Sequence, residues 1–81
     1  MASLLTLLKV GDRVRVSYAG GGLPYKRLGD KLGLGAGDTG TIESMTVRMG
    51  TPYADMMLDR NPDDVVHDVP VYILEPLLAA S

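Results

Sequence analysis

The stretch VGDRVRV, residues 10–16, constrains this chain more than any other, because its side chains alternate strictly over a short distance. Val10, Val14, Val16 and Tyr18 share one parity, and Arg13, Arg15 and Ser17 take the other. A period of two with apolar residues on one side is the mark of a strand that buries one face and wets the other. The arginines face solvent because the valines face a core. Gly11 and Asp12 supply turn chemistry just before the strand.

Four further short strands follow from the same reasoning. Residues 39–47, TGTIESMTV, resume β-character with Ile42 as the inward anchor. Met45 and Val47 have the wrong parity relative to Ile42, so burying either requires a bulge or a strong bend. Residues 53–59 alternate Ala54, Met56 and Leu58 against Asp55, Met57 and Asp59, and RNPDD turns the chain. VVHDV gives a fourth strand that Pro70 stops, since proline has no N–H for a ladder. A single turn at PVY and a last strand at ILEPL complete the chain.

Between the first two strands, residues 19–38 contain seven glycines and Pro24, a composition that argues against helix and strand alike. The expectation is a long glycine-rich loop, folded back over the strands by Leu23, Leu28, Leu32 and Leu34. Five strands, one long early loop and no helix make an all-β domain, with a small closed or nearly closed barrel as its architecture. At 81 residues the chain forms one domain, residues 1–81, with an apolar arm at residues 1–9.

The pattern resembles Src-homology-3-like barrels over nearly the whole chain after Lys9. VGDRVRV, a loop, GDTGTI, a hairpin and VPVYILEPL occur in that order. The first half is similar to the KOW-type unit, in which a basic strand after Gly-Asp precedes a glycine-led strand; Gly11, Asp12, Gly37 and Gly40 stand in those places. The ordering also resembles the C-terminal barrel of nitrile hydratase β subunits, including the closing YILEP. In outline VPVY, residues 69–72, resembles the pore-lining segment of type II dihydrofolate reductases, with proline where that family has glutamine. The first resemblance implies a five-stranded barrel. The last implies an oligomeric ligand-binding or reductase-like barrel in which Tyr72 or His67 lines a pore.

Composition limits the chemistry. Cysteine, Phe and Trp are absent and His67 is the single histidine, which excludes disulfides, thiolate metal sites and histidine clusters for zinc. The core has only aliphatic residues, methionine and four tyrosines to draw on, so self-association is a natural source of extra burial. The first ten residues lack a basic n-region and no stretch approaches a membrane span, giving the expectation of a cytoplasmic protein with no membrane partner. No catalytic residue, metal ligand or cofactor is expected. The glycines fit neither a Walker nor a dinucleotide pattern, and the aspartates from Asp55 to Asp68 lack EF-hand spacing.

The net charge of −2 disfavours indiscriminate phosphate binding, but bases crowd the first half of the chain and acids the second. Two interaction surfaces result. Arg13, Arg15, Tyr25, Lys26, Arg27 and Lys31 would form a basic, aromatic-bearing patch on RNA or DNA, as in a KOW-like module. Leu4, Leu5, Leu7, Leu8, Met56, Met57, Leu77 and Leu78 would pack copies of the chain together. The leading expectation is a non-enzymatic protein-interaction module that forms a homo-oligomer and offers residues 20–38 to an unknown protein partner. The KOW-like nucleic-acid module is the alternative.

Overall fold

The computed structural model describes residues 8–77, which form a five-stranded antiparallel sheet and one short helix. The strands are β1 (Arg13–Val16), β2 (Thr39–Arg48), β3 (Thr51–Leu58), β4 (Val65–Pro70) and β5 (Leu74–Pro76). Their spatial order is β4-β3-β2-β1-β5. Among the described residues β4 and β5 are edge strands and do not pair with each other, so the sheet is not closed.

In β1 the alternation works as the sequence dictates: Val14 and Val16 are fully buried while Arg13 and Arg15 are exposed. Val10 departs from that pattern, lying exposed outside the strand, and Tyr18 is half-buried. β2 is long enough to serve two neighbours. Its start pairs with β1, from Arg13↔Thr41 to Arg15↔Thr39, and its whole length pairs with β3.

Midway along β2 the register with β3 shifts between Ile42 and Ser44, leaving Glu43 as the extra residue of a bulge. The bulge reverses parity. Ile42 opposes Met56 on the inner side, and after Glu43 it is Met45, opposite Ala54, that packs against the core. A second shift between Ala54 and Met56 gives β4 its own extra residue, so Val66 and Val69 both reach inward.

The core combines Leu8, Val14, Val16, Leu34, Ile42, Ala54, Met56, Leu58, Val69, Val71, Ile73 and Leu74. No aromatic ring is fully buried in it, and no polar side chain is buried among the described residues. Each fully buried aliphatic side chain contributes roughly 1.5–3 kcal/mol of transfer free energy.

The glycine-rich connection differs from expectation: it contains a helix, α1 (Leu23–Lys31). Glycine content alone misleads here, because every glycine of the segment except Gly29 lies before or after the helix. Pro24 stands in the first turn, where its missing N–H costs nothing. Gly33, at φ +77°, follows the last turn and donates to the Asp30 carbonyl, while Leu34 donates to the Gly29 carbonyl at 2.8 Å. That pair of bonds is a Schellman stop. Tyr25, Leu28 and Leu32, at spacings of three and four, turn inward. Gly29, inside the helix, leaves room for the Tyr18 ring, whose hydroxyl donates to the Leu34 carbonyl at 3.0 Å.

After β4 a single 3-10 turn, Val71–Ile73, buries Val71 and Ile73 and leads into β5. Among the described residues no helix is long and apolar enough to cross a membrane.

Gly40 tests the close approach of β2 to β3. A Cβ there would collide with the Met57 backbone carbonyl and with Met56. Gly40→Ala lowers unfolding free energy by about 1–3 kcal/mol in a urea titration. Gly20→Ala, whose added carbon meets open space at an unstrained φ, changes it by less than about 0.5 kcal/mol.

Candidate functional site

The exposed ionic groups of this domain are mostly engaged with one another across strands. Arg13 meets Asp59 in a bidentate pair, with Nη1 to Oδ1 at 2.6 Å and Nη2 to Oδ2 at 2.5 Å. Its Nη1 also donates to Thr41 Oγ1 at 3.1 Å, and the Thr39 hydroxyl donates to Asp59 at 2.6 Å. The Arg13 hydrogen bonds and the Thr39 hydroxyl hold the Asp59 carboxyl down to about 2. Arg15 lies against Glu75 on the neighbouring β5, with Nε donating to Oε1 at 2.6 Å. These two arginines are outward, as the alternation requires, and they are already neutralised.

A second cluster ties the bulged strands together. Asp55, on the outer face of β3, accepts the Ser44 hydroxyl at 2.6 Å and the Asp68 backbone N–H at 3.0 Å. Ser44 directly follows the β2 bulge, and Asp68 occupies the β4 bulge at φ +59°. One carboxylate therefore braces both irregularities. His67 Nδ1 stands 3.4 Å from the same carboxylate. The Ser44 hydrogen bond, then the Asp68 N–H, hold the Asp55 carboxyl below its usual range. Serine, aspartate and histidine meet here, but the Ser44 hydroxyl donates to the carboxylate and not to the imidazole, so the order of a serine–histidine–aspartate relay is not present. Among the described residues no group of three or more His, Asp or Glu is arranged to hold a metal ion.

Asp38 closes the connection between β1 and β2. It accepts the Gly35 N–H at 2.9 Å and the Arg60 guanidinium at 3.3 Å, and the Gly35 bond first, then Arg60, keep it charged below the ordinary aspartate range. Arg60 also donates to the Gly33 carbonyl at 2.8 Å, fastening the β3–β4 turn to the end of the helical segment.

The surface with free functional groups lies on α1 and the 3-10 turn. Tyr25 and Tyr72 face each other with ring centroids 5.0 Å apart at 41°. Gly21, beneath the Tyr25 ring, has no room for a side chain. Tyr72 is 38% exposed and Leu23 56% exposed, so an aromatic and an aliphatic face both reach solvent. Leu23, Arg27 and Lys31 recur every four residues and form one outer stripe of the helix. Lys26 is paired with Asp30 at 3.1 Å, whereas Arg27 and Lys31 have no ion-pair partner among the described residues.

The residues expected to form one basic patch are thus divided. Arg13 and Arg15 belong to the strand ion pairs and Lys26 to an intrahelical pair, leaving Arg27 and Lys31 on the outer face of α1 while Tyr25 turns to the inner one. Of the residues expected to join copies, Leu8 and Met56 are core residues of the protomer and offer no surface, and Met57 and Leu77 are half-buried. Leu4, Leu5, Leu7 and Leu78 lie outside the described residues. His67 is exposed on the outer face of β4. The sequence signals that mark α1 were Pro24 at its start and Gly33 at its end, around apolar residues at helical spacing.

The chain matches no model of a protein family, no curated protein and no solved structure.

The carboxylate clusters set the acid limit of stability. Asp38, Asp55 and Asp59 have folded-state values below those of the unfolded chain, so unfolding takes up protons at low pH. Their contribution is complete above the unfolded value of about 4 and disappears as pH falls toward about 2, where Asp59 titrates. The melting temperature is expected to stay level from neutrality to near that upper value and then drop. In Asp55→Asn the same scan starts lower at neutral pH and falls less steeply in acid.

Proposed function

We propose that this domain is a non-enzymatic protein-interaction module with a small-barrel architecture of the Src-homology-3-like type. The strand order, the long β1–β2 connection, the tight β2–β3 turn and the 3-10 turn between β4 and β5 support that architecture. β2 runs through both halves of the sheet and bends at its bulge, which is how a five-stranded sheet curls toward closure.

One observation carries the functional reading: the outer stripe of α1 lines up exposed Leu23 with Arg27 and Lys31, two cations that have no ion-pair partner among the described residues. Cations in line with an exposed apolar side chain fit an acidic protein segment that also carries apolar side chains. The segment that holds this stripe is the one whose composition marked it out for a partner. The pairing of Arg13 with Asp59 and Arg15 with Glu75 weighs against a nucleic-acid groove along β1, because phosphates would have to displace carboxylates already in bidentate or close contact. Self-association completes the reading: the protomer core is small and purely aliphatic apart from methionine.

Fluorescence anisotropy with a labelled peptide of alternating Glu and Leu, against labelled poly-uridine RNA, separates the two classes of partner. The peptide is expected to bind at low salt and to lose about tenfold or more in affinity in the double variant Arg27→Glu/Lys31→Glu. Arg13→Ala leaves the affinity unchanged. Binding of RNA in preference to peptide, sensitive to Arg13 and Arg15, replaces this reading with the KOW-like one.

A further inference from the structure

β2 has two different edges. Along Thr39–Thr41 it is flanked by β1, but the register with β1 ends there, and the backbone bonds beyond it reach only to Ile42. From Ser44 to Arg48 its backbone is paired, among the described residues, on one side alone, with β3. The other side of this stretch has no backbone hydrogen-bond partner among the described residues.

The turn that closes the hairpin shows which groups that edge offers. Met49 and Gly50 both have positive φ, +51° and +79°, which makes a two-residue turn of the type that suits the twist of a hairpin. Arg48 and Thr51 flank it as a pair, so Arg48, Thr46 and Ser44 direct their N–H and C=O groups toward β3. The intervening residues, Met45 and Val47, direct theirs to the open side.

This edge lacks the usual protection against pairing. Proline is absent from it, and no charged side chain lies between Glu43 and Arg48. Arg48 is drawn to the opposite side, where its guanidinium lies 4.7 Å from the Tyr53 ring centroid and 2.8 Å from Asp68. Val47 takes the inward parity and is nevertheless 68% exposed.

We propose that a second copy of this chain pairs antiparallel along this edge, about a two-fold axis at Thr46. Only a register centred on Thr46 lets the outward-directed groups of Met45 in each copy exchange bonds with those of Val47 in the other. The same register is self-complementary in its side chains. Met45 of one copy packs on Val47 of the other, twice, covering the exposed valine on the inner face. The two Thr46 side chains meet on the outer face at the axis, a favourable cross-strand pair. The result is an isologous interface with no charge at its centre, joining two sheets into one. This inference rests on the self-associating reading of the domain and gives that association a place and a register.

Sedimentation of the full chain over a concentration series, with two substitutions at the axis, tests it. Thr46→Lys sets two like charges opposite each other at an exposed position that the protomer fold does not use. It is expected to raise the concentration needed for dimers by about tenfold or more. The chain has no native cysteine, so Thr46→Cys reports register directly. In a non-hydrogen-bonded antiparallel pair the Cα atoms sit about 4.5 Å apart, within disulfide range. Thr46→Cys is expected to crosslink into dimers under mild oxidation much faster than Asp63→Cys.

A dimer that Thr46→Lys leaves intact, with no faster crosslinking at position 46, overturns the edge while leaving self-association standing. A monomer at every concentration, with crosslinking at 46 no faster than at 63, overturns both; slow amide exchange at Met45 and Val47 in that monomer shows the edge to be covered by the chain itself. Peptide binding on α1 is read separately, since Thr46→Lys does not touch that helix.

Discussion

One extra residue in β2 governs the arrangement of the rest. Without the bulge at Glu43 the side chains of β2 would keep a single parity, and Ile42 and Met45 could not both face the core. With it, the strand bends, its first part lies against β1, and its second part leaves β1 behind with β3 as neighbour. The same irregularity is mirrored on β4, where His67 and Asp68 together oppose Asp55. Asp55 binds the residue after one bulge and the backbone of the other, so a single carboxylate fixes two places where a sheet would otherwise slip.

This geometry explains how a core without Phe or Trp closes. Val, Leu, Ile and Met side chains are small, and filling the interior with them requires strands to approach closely from several directions. At Gly40 the β3 backbone and Met56 leave no room for a Cβ, and Gly29 and Gly21 are where tyrosine rings lie directly on the backbone. The tyrosines supply what the aliphatic core lacks, at its margin. Tyr18 locks the end of the helical segment, and Tyr25 joins α1 to the 3-10 turn through Tyr72.

The surface follows from the same economy of parts. Arginines on the wet face of β1 are tied laterally to carboxylates of neighbouring strands, and Arg60 ties a distant turn to the helical segment. Cations bound in this way serve the fold. Those on the outer stripe of α1 and the uncharged edge of β2 have no such employment within the described protomer, and they stand on different parts of the molecule.

Alternation placed the strands to within a few residues: VGDRVRV and the Ala54–Met56–Leu58 parity act through neighbours in the chain, although β1 begins only at Arg13, β3 takes in Thr51 and Pro52, and β4 includes Pro70, paired with Tyr53. The parity of Met45 and Val47 required a bulge or a strong bend to bury either, and the structure has the bulge, with Met45 inward. The helix is hidden in composition, because seven glycines outweigh Pro24 and Gly33 in any propensity sum that ignores position. Only the tertiary structure decided which cations are spent on carboxylates and which methionine is core, because those depend on contacts between residues far apart in sequence, Arg13 with Asp59 and Met56 with Ile42 among them. Parity is a property of a segment, whereas partnership is a property of the fold.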